Sequence, residues 1–115
     1  MEEPLFVFVK IPEPLEPLER ADKYEGPLEE SLNSSGVGVL TGGGAMLSAP
    51  DADGHREIEW SGIDIDLHNF DEGLELLRTE LKRLGAPKGT ILEYTLDGIA
   101  YARDIYETGA FDLAH

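Results

Sequence analysis

The run Leu5-Phe6-Val7-Phe8-Val9-Lys10-Ile11 constrains the fold of this chain more than any other segment. β-branched and aromatic residues favour a strand, and Pro12 ends it. Successive side chains of a strand point to opposite faces, so Val7, Val9 and Ile11 lie on one face and Phe6 and Phe8 on the other. Both faces are apolar, which is typical of a central strand that is covered on both sides.

The second strong signal is an amphipathic helix over Phe70–Leu84. Its apolar residues recur at spacings of four and three, which puts them on one helical face. Asn69 is a good N-cap with Glu72 three residues later, and Gly85 suits the C-terminal cap. The apolar stripe comprises Phe70, Leu74, Leu77, Leu81 and Leu84.

The other elements follow from turn residues and alternation. Pro12 to Gly26 predicts an extended, proline-rich connection with a helical turn at Leu18 to Lys23, and a short helix opens at Pro27 and ends near Asn33. Asp97-Gly98 predicts a two-residue hairpin turn. The remaining predicted strands are Val37–Ser48, Ile58–Leu67, Thr90–Leu96 and Ile99–Arg103.

The strand Ile58–Leu67, the third of the chain, changes its alternation. Ile58 and Trp60 are even-numbered, whereas Ile63, Ile65 and Leu67 are odd-numbered. If all of them share one face, an extra residue must be inserted between the two sets, so a β-bulge is predicted at Ser61 or Gly62.

The element order from Leu5 to Leu96 is strand, helix, strand, strand, helix, strand. This order resembles the ferredoxin-like plait, and the resemblance implies one antiparallel sheet with helices on one face and the first and third strands at its centre. The sequence therefore predicts a single α+β domain over residues 1–115, with a C-terminal hairpin extension after the plait.

Charge and composition exclude several classes of function. The net charge is −15, from 24 acidic and 9 basic residues. Such a field repels phosphate backbones and anionic lipids, so no nucleic-acid or membrane partner is expected. There is no cysteine, no long apolar segment and no signal-peptide pattern, so a cytoplasmic protein without a bound cofactor is predicted.

Two motifs suggest a ligand, and each has a simpler interpretation. Gly42-Gly43-Gly44 suggests a phosphate loop, but the dinucleotide and P-loop patterns are incomplete, which favours a strand bent by glycines. Asp64, Asp66 and His68 alternate along one strand face, where they could share a divalent metal or transfer protons. The alternative is the solvated face of a half-buried sheet.

The two faces of the first strand supply the positive indication of function. A plait has helices on only one side, so one apolar set, Phe6 and Phe8 in particular, meets the uncovered side and is a candidate interface. The sequence favours an acidic interaction domain: a homodimer, or an inhibitor or immunity-type protein that binds a basic protein. The alternative is a small enzyme or a ligand- or metal-binding sensor with a pocket on the open sheet face.

Overall fold

The computed structural model describes residues 4–106 and 110–112 and has a mixed α+β fold. Six strands form one sheet, and helical segments precede β2 and β4. The strands are β1 (Leu5–Ile11), β2 (Gly38–Leu47), β3 (Ile58–Leu67), β4 (Ile91–Leu96), β5 (Ile99–Asp104) and β6 (Ala110–Asp112). The helices are α1 (Pro17–Arg20), a π-helical turn (Ala21–Glu25), α2 (Gly26–Ser35) and α3 (Phe70–Arg83).

The sheet has the strand order β2-β3-β1-β4-β5-β6, and all neighbours are antiparallel. β1 lies between β3 and β4, which confirms its predicted central position. Val7 is opposite Ile65 on one side and Tyr94 on the other, and all three belong to the buried core. The odd-numbered apolar residues of β1 thus belong to the core.

The core lies between the sheet and the helices α2 and α3. Odd-numbered residues of β1 and β3 meet leucines from both helices, and the side chains involved are fully buried or nearly so. Each such leucine or isoleucine contributes about 1.5–3 kcal/mol relative to an exposed one. The central members are Val7, Val9, Ile11, Tyr24, Leu28, Leu32, Ile63, Ile65, Leu67, Leu74, Leu77 and Leu81.

The first helical segment is longer than the helical turn predicted at Leu18 to Lys23, because it begins at Pro17 and continues without a break into α2. Glu16 and Glu19 form a capping box, and Pro17 occupies a first-turn position where its missing N–H costs nothing. Pro27 would break an uninterrupted α-helix. The wider π-helical turn lies immediately before it, and the N–H of Gly26 bonds to the carbonyl of Ala21.

The helix α3 has the predicted bounds to within one residue. The side chain of Asn69 accepts a hydrogen bond from the backbone N–H of Glu72. Gly85 beyond the helix has φ 86°, a conformation that favours glycine. No helix among the described residues is long and apolar enough to cross a bilayer.

The predicted bulge at Ser61 or Gly62 is wrong. Both residues pair regularly with β1 and β2. The irregularities of the β2–β3 ladder lie elsewhere, where Thr41 and Glu59 have no opposite partner. Trp60 therefore stays on the face opposite to Ile63, because no shift of alternation occurs between them.

The hairpin predicted at Asp97-Gly98 joins β4 to β5. Asp97 and Gly98 have φ values of 51° and 80°, as a type I′ turn requires, and Leu96 is opposite Ile99. β6 pairs with β5 and extends the sheet beyond this hairpin.

Candidate functional site

The face of the sheet opposite the helices is the candidate site, and we call it the open face. Phe6 and Phe8 both lie on it, as the alternation of β1 predicts. Phe6 is 50% exposed, and Phe8 is partly buried. Val39 of β2 lies on the same face, because it pairs with Asp66, and its side chain is exposed.

Phe8 belongs to a small cluster of side chains across β1 and β3. Its ring meets that of Trp60 edge to face, with the ring centroids 5.7 Å apart. The Nζ of Lys10 lies 4.8 Å from the centroid of the Trp60 ring, within cation–π distance. The ammonium group of Lys10 therefore lies on the β3 side of β1.

Carboxylates flank the two phenylalanines. Asp64 lies opposite Phe8 on β3, Glu93 lies opposite it on β4, and Asp66 lies opposite Phe6. All three acids are partly buried. None of them takes part in the ion pairs found among residues 4–106. The open face thus combines exposed aromatic surface with uncompensated negative charge.

A cavity of about 490 Å³ opens beside these residues, between β1, β4 and β5. Strand pairing places five of its lining residues on the open face: Phe6, Phe8, Glu93, Thr95 and Ala100. Its surface is therefore mainly apolar with one carboxylate, the usual character of a site that binds a small group.

The predicted metal residues lie only partly together. Asp64 and Asp66 share the open face, whereas His68 is exposed beyond the end of β3. Within the described ranges, the group of three whose ligand atoms come within 4.8 Å of one another is Asp51, Asp53 and His55, in an exposed turn. Metal binding by Asp64, Asp66 and His68 stays a prediction.

The glycine run of β2 makes room for a buried ion pair. Arg20 Nε lies 2.6 Å from Glu25 Oε2, and Arg20 Nη1 donates to the carbonyl of Gly44 at 2.9 Å. A Cβ on Gly43 would come within 3.3 Å of both side chains. The run is a strand, and the cation beside it already has partners, which favours the structural interpretation over a phosphate loop. No sequence pattern linked Arg20 to this strand.

A second polar network fixes the segment after β1. Glu13 accepts hydrogen bonds from the hydroxyl of Tyr24 and, at 2.8 Å, from Lys23 Nζ. The buried hydroxyl of Ser61 donates to the carbonyl of Glu13 at 2.8 Å. Burial first, and then the hydrogen bond to Glu13, raise the pKa of Tyr24 well above its ordinary value. This network lies away from the open face and has a structural role.

The comparisons with known proteins identify no relatives. Protein-family models, curated proteins and solved structures all gave no match to this chain. Function must therefore be inferred from the open face itself.

Proposed function

We propose that this chain is an acidic protein-interaction domain whose open face binds a basic protein. The observation that carries the proposal is Phe6, which is 50% exposed on the central strand with the carboxylate of Asp66 directly opposite. An apolar side chain in that position gains from burial against a partner.

The composition of the face supports a cationic partner. Aromatic side chains provide the contact area that commonly dominates binding, and the carboxylates beside them select complementary charge. A net charge of −15 would also speed the approach of a basic protein. An inhibitor or immunity-type protein that covers the cationic site of an enzyme such as a nuclease is a concrete form of this function.

The proposal includes a ferredoxin-like arrangement of the first four strands. It is supported by the order β2-β3-β1-β4 with antiparallel neighbours, and by helices on a single face. In that arrangement the second face of the central strand is free for a partner. The predicted cytoplasmic location would allow the encounter.

Self-association is a less favourable way to cover this face. In a two-fold dimer the open face would meet its own copy, so Asp64, Asp66 and Glu93 would approach identical charges. Such a dimer would need salt to screen the repulsion. A partner of opposite charge meets no such repulsion.

The second candidate function is a small enzyme or ligand sensor. The cavity of about 490 Å³ beside Phe8 and Glu93 favours it, because its size lies in the range of small-molecule sites. Asp64, Asp66 and His68, the polar groups predicted for such a pocket, belong to the β3 side of β1 and do not line this cavity, so Glu93 would be its acid.

Affinity capture with matched baits tests the first proposal. The wild-type chain and two variants, Phe6→Ser and Leu18→Ser, are immobilised and exposed to host lysate. Leu18 is 81% exposed on α1, so its variant changes apolar surface away from the open face. We expect a basic protein that is retained by wild type and Leu18→Ser, is lost with Phe6→Ser and is eluted by salt.

Two results would count against the proposal. Retention of the same proteins by all three baits would exclude the open face as their binding site. A Phe6-dependent partner that is itself acidic would exclude charge complementarity.

A further inference from the structure

We infer that the cavity between β1, β4 and β5 accepts an arginine side chain of the basic partner. This inference rests on the proposed function and names the chemical group that the open face recognises. The cavity offers a carboxylate, aromatic rings and a volume of about 490 Å³.

Glu93 is the anionic end of this site. It lies opposite Phe8 on one neighbouring strand and opposite the buried Ala102 on the other. All nine lysines and arginines of the chain are within the described residues, and none of the ion pairs there includes Glu93. The carboxylate is therefore available to a cation from outside.

Lys10 does not fill this role. It shares the open face with Phe8, but its Nζ lies over the ring of Trp60 on β3, whereas Glu93 is on β4 at the other side of β1. Lys10 thus contacts Trp60 on the β3 side of β1, whereas Glu93 lies on the β4 side.

The aromatic rings beside Glu93 favour the guanidinium group of arginine over the ammonium group of lysine. Phe6 and Phe8 both line the cavity next to Glu93. A planar guanidinium can stack on an aromatic ring while it donates two parallel hydrogen bonds to a carboxylate. A lysine ammonium is a compact, strongly hydrated charge that gains less from this combination.

Nuclear magnetic resonance with small probes tests the site without any partner. The isotope-labelled full chain is titrated with N-acetyl-arginine amide, with its lysine analogue and with the neutral citrulline analogue. We expect saturable shifts at Phe8, Glu93, Thr95 and Ala100 with arginine, weaker shifts with lysine and none with citrulline.

Two isosteric variants locate the interaction. Glu93→Gln should weaken the arginine Kd at least about tenfold, because a charge-assisted hydrogen-bond pair is lost. Glu29→Gln removes the same charge from the exposed surface of α2 and should leave the Kd unchanged within twofold or so. Amide spectra confirm that both variants are folded.

The outcomes separate this inference from the proposed function. Equal weakening by both variants, or equal binding of lysine and arginine, would overturn the arginine site, even if a Phe6-dependent basic protein is captured. Arginine binding that depends on Glu93, without any captured basic protein, would support the cavity assignment and overturn the protein partner.

Discussion

The ring of Phe8 lies directly on Gly62 of the neighbouring strand. A Cβ at position 62 would be only 2.6 Å from two carbons of that ring. The absence of a side chain at Gly62 thus leaves room for the Phe8 ring to pack over β3 and contact Trp60. The shape of the open face depends on this one glycine.

Gly62→Ala should therefore destabilise the protein and displace Phe8. Forcing a methyl group into a packed position costs about 1–3 kcal/mol, which we expect to see in the free energy of unfolding by urea. Gly44→Ala is the matched control, since Gly44 lies opposite Gly62 and has open space around it. An unchanged Gly62→Ala variant would show that Phe8 moves away at no cost.

Removing one partner of the largely buried pair of Arg20 and Glu25 should have a large effect on stability. Arg20→Met should cost about 3 kcal/mol, because Glu25 and the carbonyl of Gly44 both lose a charged donor. Glu25→Gln in the Arg20→Met background should restore part of this loss, as a double-mutant cycle by urea unfolding would measure.

A surface pair provides the comparison for that cycle. Arg83 and Glu80 are 2.6 Å apart on α3, but the Arg83 side chain is 60% exposed. Arg83→Met should cost much less stability than Arg20→Met, because solvent screens an exposed pair. Similar losses at Arg20 and Arg83 would contradict the importance assigned to the pair beside the glycine run.

Tyr24 predicts a loss of stability at alkaline pH. Its pKa is raised in the folded state by burial and by Glu13, while the unfolded chain ionises near pH 10. The folded state keeps the proton of Tyr24, so the contribution of Tyr24 to the free energy of unfolding is fully present below pH 10. As the pH rises further, it falls by about 1.4 kcal/mol per pH unit.

Urea unfolding of wild type and Tyr24→Phe from pH 8 to 11 checks this linkage. The variant should be less stable at pH 8, where a hydrogen bond to Glu13 is lost, and the difference should shrink above pH 10. A constant difference across the range would show that Tyr24 titrates normally in the folded protein.

The charge of the open face predicts how the chain self-associates. We expect a monomer near 0.01 M salt, where the screening length is about 30 Å, and a dimer only near 1 M, where it is about 3 Å. Light scattering measures this, with Phe6→Ser as the variant that should stay monomeric throughout. A stable dimer at low salt would favour self-association as the native cover.

The metal hypothesis also has a direct test. If Asp64, Asp66 and His68 hold a divalent ion, titration calorimetry should give a heat of binding that Asp66→Asn abolishes and Asp51→Asn retains. The reverse dependence would assign the ion to the exposed turn with Asp51, Asp53 and His55. No heat with any common divalent ion would leave the three residues as a solvated strand face.

Strand alternation and helical periodicity predicted the parts of this fold that local sequence controls. The position of β1, the bounds of α3 and the Asp97-Gly98 turn were all confirmed. The two sides of β1 also identified Phe6 and Phe8 as the residues on the uncovered face, before any neighbouring strand was known.

The errors arose where distant residues decide the local structure. Trp60 was predicted to share a strand face with Ile63 through a bulge, but the ladder is regular there and Trp60 packs with Phe8 on the open face. The segment from Pro12 to Gly26 was predicted to be extended apart from one helical turn, whereas a capping box and a π-helical turn accommodate its prolines in a continuous helical segment from Pro17 onward. Glu93 gave no signal, since its cavity forms only when β1 and β5 flank β4.

The central place of β1 also governs when this chain can fold. Its two neighbours, β3 and β4, begin only at residues 58 and 91, so the first strand to be synthesised has no neighbour to pair with until β3 has been made. Closing loops over such distances costs conformational entropy before any hydrogen bond of the ladder forms. Contacts between residues far apart in sequence are associated with slow folding. During synthesis, the apolar residues of β1 therefore stay unpaired at least until residues 58–67 of β3 have emerged.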